Sequence, residues 1–221
     1  MRTSNESRQL IFDSLRSALP QQISSDDTEA IESIPSHKAT QKNVDAFTQQ
    51  LESAKAEVHH IESKDLGKSL VSIISSGEFK SILTEDVENL NRLMVNVSKK
   101  TNTKIIKFDR VLENIKDRVF DADASVSYAQ YGIAETGTLV VTSSPTRARS
   151  LSLVTPAHIC IIPEKVIFRN LSIVLKKSRM NQNMPTNLVL ISGPSRTADI
   201  EFNISLGIHG PKRLIVLILK S

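Results

Sequence analysis

The sequence predicts an α/β protein, a mostly parallel sheet with helices on both faces. Three observations carry that expectation. Short runs of Val, Ile and Leu recur along the chain, amphipathic helical stripes alternate with them, and aromatic residues make up only 4%, with no Trp. Near-continuous aliphatic runs are typical of strands covered on both faces, and their alternation with helices is the pattern of parallel crossovers.

The elements follow in order. Residues 7–19 carry Leu10, Ile11, Leu15 and Leu19 at helical spacing, and Pro20 stops the pattern. Residues 21–38 are polar and acidic, with Asp26, Asp27, Glu29 and Glu32 near Pro35, and read as a flexible tether. The division expected is therefore 1–39, an N-terminal helix and tether, and 40–221, an α/β domain. Within the domain, Val44, Phe47, Leu51 and Ala54 form a helical stripe. Leu66, Leu70, Val71, Ile73 and Ile74 form another, which Gly77 can close. Helical patterns also surround Leu90 to Met94 and Leu171 to Leu175. Strands are expected at 58–61, near Ile82, and at 103–108, 138–142, 158–162, 188–192 and 214–219.

Several function classes lack their signatures. The net charge of +4 is spread without a dense basic block, so nothing suggests nucleic-acid binding. No glycine pair makes Gly-x-Gly, and there is no phosphate-binding loop of the Walker type. The single cysteine, Cys160, allows neither an internal disulfide nor a cysteine-held iron–sulfur cluster. The start of the sequence has no signal-peptide apolar core, and the aliphatic run 214–219 falls far short of the ~20 residues a bilayer span needs. A cytoplasmic location is expected.

Two glycine-punctuated segments carry the candidate chemistry. In the first, Gly132 and Gly137 bracket Glu135 and Thr136, and Thr138 opens a strand. Ser143, Ser144, Thr146, Arg147 and Arg149 follow it, offering hydroxyl donors and positive charge to an anion. The plainer alternative is a glycine-bounded connection whose Glu135 caps backbone N–H groups. In the second, a strand runs into Ser192, Gly193, Pro194, Ser195, Arg196 and Thr197. A helix containing Ala198, Ile200, Ile204 and Leu206 is then expected, its N-terminus forming an anion site with Arg196 as a forked donor. Asp199 and Glu201 would stabilise that helix end but repel a second anion. His209, before Gly210 and Pro211, is a candidate acid or base. His158 and Cys160 lie two apart in an aliphatic strand, where a buried core pair is the plain expectation over metal ligation.

The run Gly132-Ile133-Ala134-Glu135-Thr136-Gly137-Thr138, then Pro156-Ala157-His158-Ile159-Cys160, resembles the signature of the lactate-utilisation protein C family, the LUD-domain proteins. Ser192 through Glu201, and Gly207-Ile208-His209-Gly210-Pro211, are similar to that family's C-terminal signature, in the same order. The resemblance spans roughly residues 120–221, and the N-terminal half adds only its helix pattern. One departure is Ala157, where the family more often places an Asp before the histidine. The resemblance implies a fold like the NagB/RpiA/CoA transferase-like group, which includes ribose-5-phosphate isomerase, CoA transferases and formyltetrahydrofolate cyclo-ligase.

It further implies a component of L-lactate oxidation to pyruvate, acting beside companion proteins that carry the iron–sulfur clusters, with no cofactor in this chain. The ligand would be a small carboxylate or related anion. From the local chemistry of the two segments, its binding residues are expected to be Gly132, Thr136, Gly137, Thr138, Ser144, Arg147, Gly193, Ser195, Arg196, Thr197 and Asp199, with Glu135 and His209 as catalytic candidates. Two alternatives stay open. One is a stand-alone enzyme on a phosphorylated or CoA-linked metabolite, using Glu135 as a carboxylate nucleophile. The other is a non-catalytic module for metabolite sensing or assembly.

Overall fold

The structure, a computed structural model, describes residues 40–108, 119, 121–143, 149–180, 185, 187–198, 204–206 and 210–220, together with 9 and 12–14; at 149, 179–180, 196–198 and 204–206 it describes the backbone alone. The chain divides into two units, 1–37 and 38–221, and the second holds the sheets and the helices that cover them. Of the helix expected at 7–19, Gln9 and Phe12, Asp13 and Ser14 are described, and they are helical.

Helix α1 spans Gln41–Ser53. Thr40 begins it in extended conformation, its hydroxyl accepting from the Asn43 amide at 3.3 Å, the ordinary N-cap arrangement. Val44, Phe47 and Leu51 are its buried stripe. Lys55, in left-handed conformation, turns the chain into strand β1, Glu57–Glu62. Helix α2, Leu66–Ser76, buries Leu66, Leu70, Ile73 and Ile74 and closes at Gly77, whose N–H reaches the Ile73 carbonyl. Strand β2, Ser81–Thr84, helix α3, Glu88–Thr101, and strand β3, Lys104–Lys107, follow. Next come β4, Ala124–Tyr128, β5, Tyr131–Ile133, β6, Thr138–Thr142, β7, Ala157–Pro163, and β8, Ile167–Phe168. Helix α4, Leu171–Met180, leads to β9, Leu188–Ile191, the short strands β10, Arg196–Ala198, and β11, Ile204–Leu206, and finally β12, Arg213–Lys220.

Six strands form one sheet in the order β1-β12-β7-β4-β2-β3, and every neighbouring pair is parallel. The expected strands at 138–142 and 188–192 belong elsewhere. They are β6 and β9 of a separate four-stranded sheet, β8-β5-β6-β9, whose β5–β6 and β6–β9 pairs are antiparallel. An aliphatic run buried on both faces reads the same in either sheet, so periodicity could not separate them.

The layers follow from the faces. On one side of the large sheet, Leu70 and Ile74 of α2 and Leu90 and Met94 of α3 pack on Ile82, Val126, Ile159, Ile161, Ile215 and Leu217. On the other, Val44, Phe47 and Leu51 of α1 share a core with Ile162, Val216 and Ile218, and with Leu139, Val141 and Ile191 of the second sheet. Helix α4 covers that sheet's far side through Ile173 and Val174, against Ile133, Val140 and Phe168. The large sheet is therefore covered by helices on both faces, with the second sheet sharing one face with α1. Each side chain fully buried here contributes about 1.5–3 kcal/mol relative to exposure.

The large sheet also has a reversal in its winding. From β2 the chain moves outward to β3, and from β4 it moves the opposite way to β7 and β12. The carboxyl ends of the adjacent strands β2 and β4 thus flank a topological switch point, where open α/β sheets form a crevice.

Candidate functional site

The first segment is built around a close approach. After β5 the chain makes a 3-10 turn, Ala134–Thr136, and Gly137 at φ +56° starts β6. A Cβ on Gly137 would lie 2.6 Å from Gln50 Cβ and 2.8 Å from the Leu51 amide nitrogen. A Cβ on Gly132 would meet Phe47, Ile162 and Ile167 at 3.0–3.1 Å. Both glycines therefore let helix α1 lie directly on this turn, with Ala134 buried in the shared core.

Glu135 is held at the surface. Its amide donates to the Arg169 carbonyl at 3.0 Å, and Arg169 Nε donates to its carboxylate at 3.1 Å. Both side chains are substantially exposed, which limits such a pair to ~1 kcal/mol or less. Glu135→Gln is accordingly expected to change unfolding free energy by less than ~1 kcal/mol in urea titration.

The second segment differs from its expectation. Where a helix was expected from residue 198, β10 and β11 form an antiparallel hairpin, pairing Arg196 with Leu206, Thr197 with Ser205 and Ala198 with Ile204. The reason is visible in the residues. Ala198, Ile200, Ile204 and Leu206 all occupy even positions, the two-residue period of a strand face. No helix N-terminus follows Ser195, so the expected anion site of helix amides is absent from these described residues. The Ser195 amide instead donates to the Pro211 carbonyl at 2.8 Å, and Thr197 enters the hairpin ladder.

The two segments do meet. Thr138 Oγ1 lies 2.6 Å from Thr136 Oγ1 and 2.7 Å from Ser192 Oγ, giving a run of three hydroxyls across the β6–β9 junction. Gly193, at φ +147°, sits where a Cβ would be 2.9 Å from Ala54 Cβ, so both segments press on the C-terminal end of α1. Beside them lies an open depression of about 380 Å³, lined by Ala54, Leu190, Ser192, Gly193 and Pro194. Ser144, Arg147, Asp199 and His209 lie outside the described residues, and Arg196 and Thr197 are described in backbone only. Of the candidate ligand residues, the structure thus brings together Thr136, Gly137, Thr138 and Gly193, with Ser192 added. Gly132 lies under α1, and Ser195 pairs with Pro211.

A second cluster was missed. On the α1 side of the large sheet, strands β4 and β7 bury Ser125, Ser127, His158 and Cys160, and Glu85 is buried just beyond β2. His158 Nε2 lies 2.8 Å from Ser127 Oγ, and Thr155 Oγ1 lies 2.9 Å from Ser125 Oγ. The Tyr128 amide donates to Glu85 Oε1 at 3.2 Å, joining β2 to β4 at the switch point. Burial lowers His158 to about 4, which keeps the ring neutral. Burial also pushes the Cys160 thiol up to about 12; the Glu85 charge adds to the rise, and the Ser127 hydroxyl beside the sulfur opposes it. The expected buried pair is thus present, inert as a thiolate source. Ala157 faces the opposite side, packing with Ile159 against α2 and α3, so an acid at that position would not reach His158. The available signal was Ala124-Ser125-Val126-Ser127, an alternation whose serines mark one face of a strand.

Among the described residues no three His, Cys, Asp or Glu side chains are placed to hold a metal ion, and no helix is long and apolar enough to cross a membrane.

Relatives extend these observations. The chain is 42% identical over 119 residues to an uncharacterized protein of Neisseria meningitidis serogroup B, covering 53% of this chain and 51% of that protein. It is 34% identical over 112 residues to lactate utilization protein C of Halalkalibacterium halodurans, covering 49% of each. With lactate utilization protein C 1 of Bacillus mycoides it shares 27% identity over 170 residues, covering 74% of this chain and 73% of that one. In the first two cases the match spans about half of the relative's length. The crystal structure of a DUF162 family protein from Deinococcus radiodurans superposes with a TM-score of 0.61 at 19% identity, over 80% of this chain and 96% of that one, and so shares the fold. The family model of the LUD domain matches residues 44–219, and this chain belongs to that family.

Proposed function

We propose that this protein is a component of L-lactate utilisation, serving the oxidation of L-lactate to pyruvate beside partner proteins that carry the iron–sulfur clusters. The observation that carries the reading is the meeting of the two signature segments: Thr138 and Ser192 join them at 2.7 Å, over a common helix end. The relatives named lactate utilization protein C support a role in lactate utilisation.

A small carboxylate is the ligand proposed for this junction. The hydroxyls of Thr136, Thr138 and Ser192 carry three donor hydrogens, two of which join them to one another and one of which is left for a ligand, and Ser192 and Gly193 line the open depression beside them. Ser144, Arg147, Arg196, Thr197 and Asp199 belong to the same proposed site through their place in the two segments. Electrons leave through the partners, because a single cysteine cannot hold a cluster.

Deleting the gene is expected to abolish growth on L-lactate as sole carbon source while growth on glucose continues. A copy carrying Ser192→Ala should restore growth less well than the natural sequence. Undiminished growth of the deletion strain on L-lactate would remove the reading.

A further inference from the structure

Strand β9 forms one edge of the second sheet, and its α4 face is only partly covered. Val140 and Leu190 stand opposite each other in register. Val140 is fully buried in the core that α4 covers, with Ile133 and Phe168, yet Leu190 is 48% exposed. Leu188, two residues earlier on the same face, packs against that core. Leu190 instead lines the depression of about 380 Å³, where Ala54 and Pro194 are the other apolar walls. Small-ligand sites commonly have volumes of about 300–1,000 Å³, and L-lactate would fill only a small part of this one.

The same depression has donors at its polar end. The Ser143 amide donates to the Asn187 carbonyl at 3.2 Å, and the Gln130 amide donates to the Val140 carbonyl at 2.9 Å. Val140 therefore turns its backbone toward β5, and by the alternation of an antiparallel ladder Leu190 turns its own away from β6. That side is the sheet edge, because β9 ends the order β8-β5-β6-β9, and among the described residues no strand pairs with it there. Ser192 follows two residues later on the Leu190 face, its hydroxyl bonded to Thr138. Thr138 is only 4% exposed, so Ser192 is the member of that pair that meets a ligand. An acceptor placed there makes the hydroxyls run from Thr136 to Thr138 to Ser192, each donating to the next, with the last hydrogen aimed at the acceptor.

We infer that this depression takes a carboxylate whose aliphatic tail is longer than the methyl group of lactate, and that the Leu190 side chain selects the tail. The Leu190 amide and the Ser192 hydroxyl receive the carboxylate, while Leu190, Ala54 and Pro194 cover the tail. The inference rests on the carboxylate proposed for the junction and adds to it the class of acid and the residue that sets it. A methylene fully removed from water raises affinity about fourfold; a depression open on one side covers roughly half of it, which gives about twofold.

The test follows the Leu190 amide of 15N-labelled full-length protein by NMR during separate titrations with L-lactate, L-2-hydroxybutyrate and L-2-hydroxyhexanoate. A saturable downfield movement of that amide is expected from each acid, with affinity rising about twofold per added methylene and about eightfold across the series. Leu190→Thr keeps a strand-forming residue and the amide but removes most of the apolar wall, so the rise across the series should shrink to about twofold or less. Ser192→Ala should weaken all three acids by a similar factor and leave the rise intact. Affinity that does not grow with tail length in the natural protein overturns the inference, as does an undiminished rise in Leu190→Thr. No movement of the Leu190 amide with any of the acids removes both this inference and the carboxylate proposed for the junction. A flat series, together with loss of growth of the deletion strain on L-lactate, leaves the pathway standing and removes only the preference for a longer tail.

Discussion

Gly137→Ala should lower stability by roughly 3 kcal/mol, among the largest effects of any single methyl group added to this protein. Two costs add. Alanine in left-handed conformation costs roughly 1–2 kcal/mol, and Gly137 is held there at φ +56°. The new methyl would also stand 2.6 Å from Gln50 Cβ and 2.8 Å from the Leu51 nitrogen, and overpacking of this kind costs about 1–3 kcal/mol. Helix α1 cannot simply retreat, because Phe47 and Leu51 are fully buried in the core beneath it. At about 2–4 °C per kcal/mol for a protein of this size, thermal unfolding should fall by about 6–12 °C. A fall of less than about 2 °C would show that α1 does not rest on this turn.

The glycines illustrate how much the sequence disclosed. Their spacing marked the segment, but the reason for them is a helix some eighty residues earlier, and local pattern holds no record of such contacts. Helices α1 and α2 were legible because Val44, Phe47 and Leu51, and Leu66, Leu70 and Ile74, repeat at helical spacing. Strand β12 was legible as an unbroken aliphatic run. Strand β4 was not, because its serines dilute the apolar signal while serving a buried polar face. At Ala198 to Leu206 the residues did hold the answer, a period of two, and the helical expectation passed over it. The site was legible in part: the two segments do converge through Thr138 and Ser192, whereas Glu85 and Ser127 gain meaning only when β2 and β4 are adjacent.

Acid should weaken the fold well before the carboxylates titrate. His158 has a folded value of about 4 against an ordinary value of 6.5, caused by burial. The unfolded chain therefore binds more protons than the folded one between those values, and stability rises with pH across that window. The contribution is fully present above the unfolded value and is lost as pH falls toward the folded one. Between pH 7 and pH 5 the loss is about 2 kcal/mol, since each unit of difference corresponds to about 1.4 kcal/mol. Glu57 acts in the same direction but lower on the scale: the hydrogen bonds from Arg213 hold its carboxyl below the ordinary range, so its contribution fades only as pH falls through the carboxylate region. Urea unfolding at pH 7 and pH 5 checks the larger effect. Stability that is flat over this interval would mean that His158 titrates normally and is not sealed in the core.

The pairing of β1 with β12 has a consequence for synthesis. Glu57 and Arg213, which join these strands at one end, lie 156 positions apart in sequence. At about 5–20 residues per second, roughly 8–30 s separate their appearance on the ribosome. Throughout that interval β1 has no partner strand in the large sheet, because β12 stands between β1 and β7. The nascent chain must carry an open strand edge until its late aliphatic strand arrives, and interrupted translation would leave a species suited to chaperone capture.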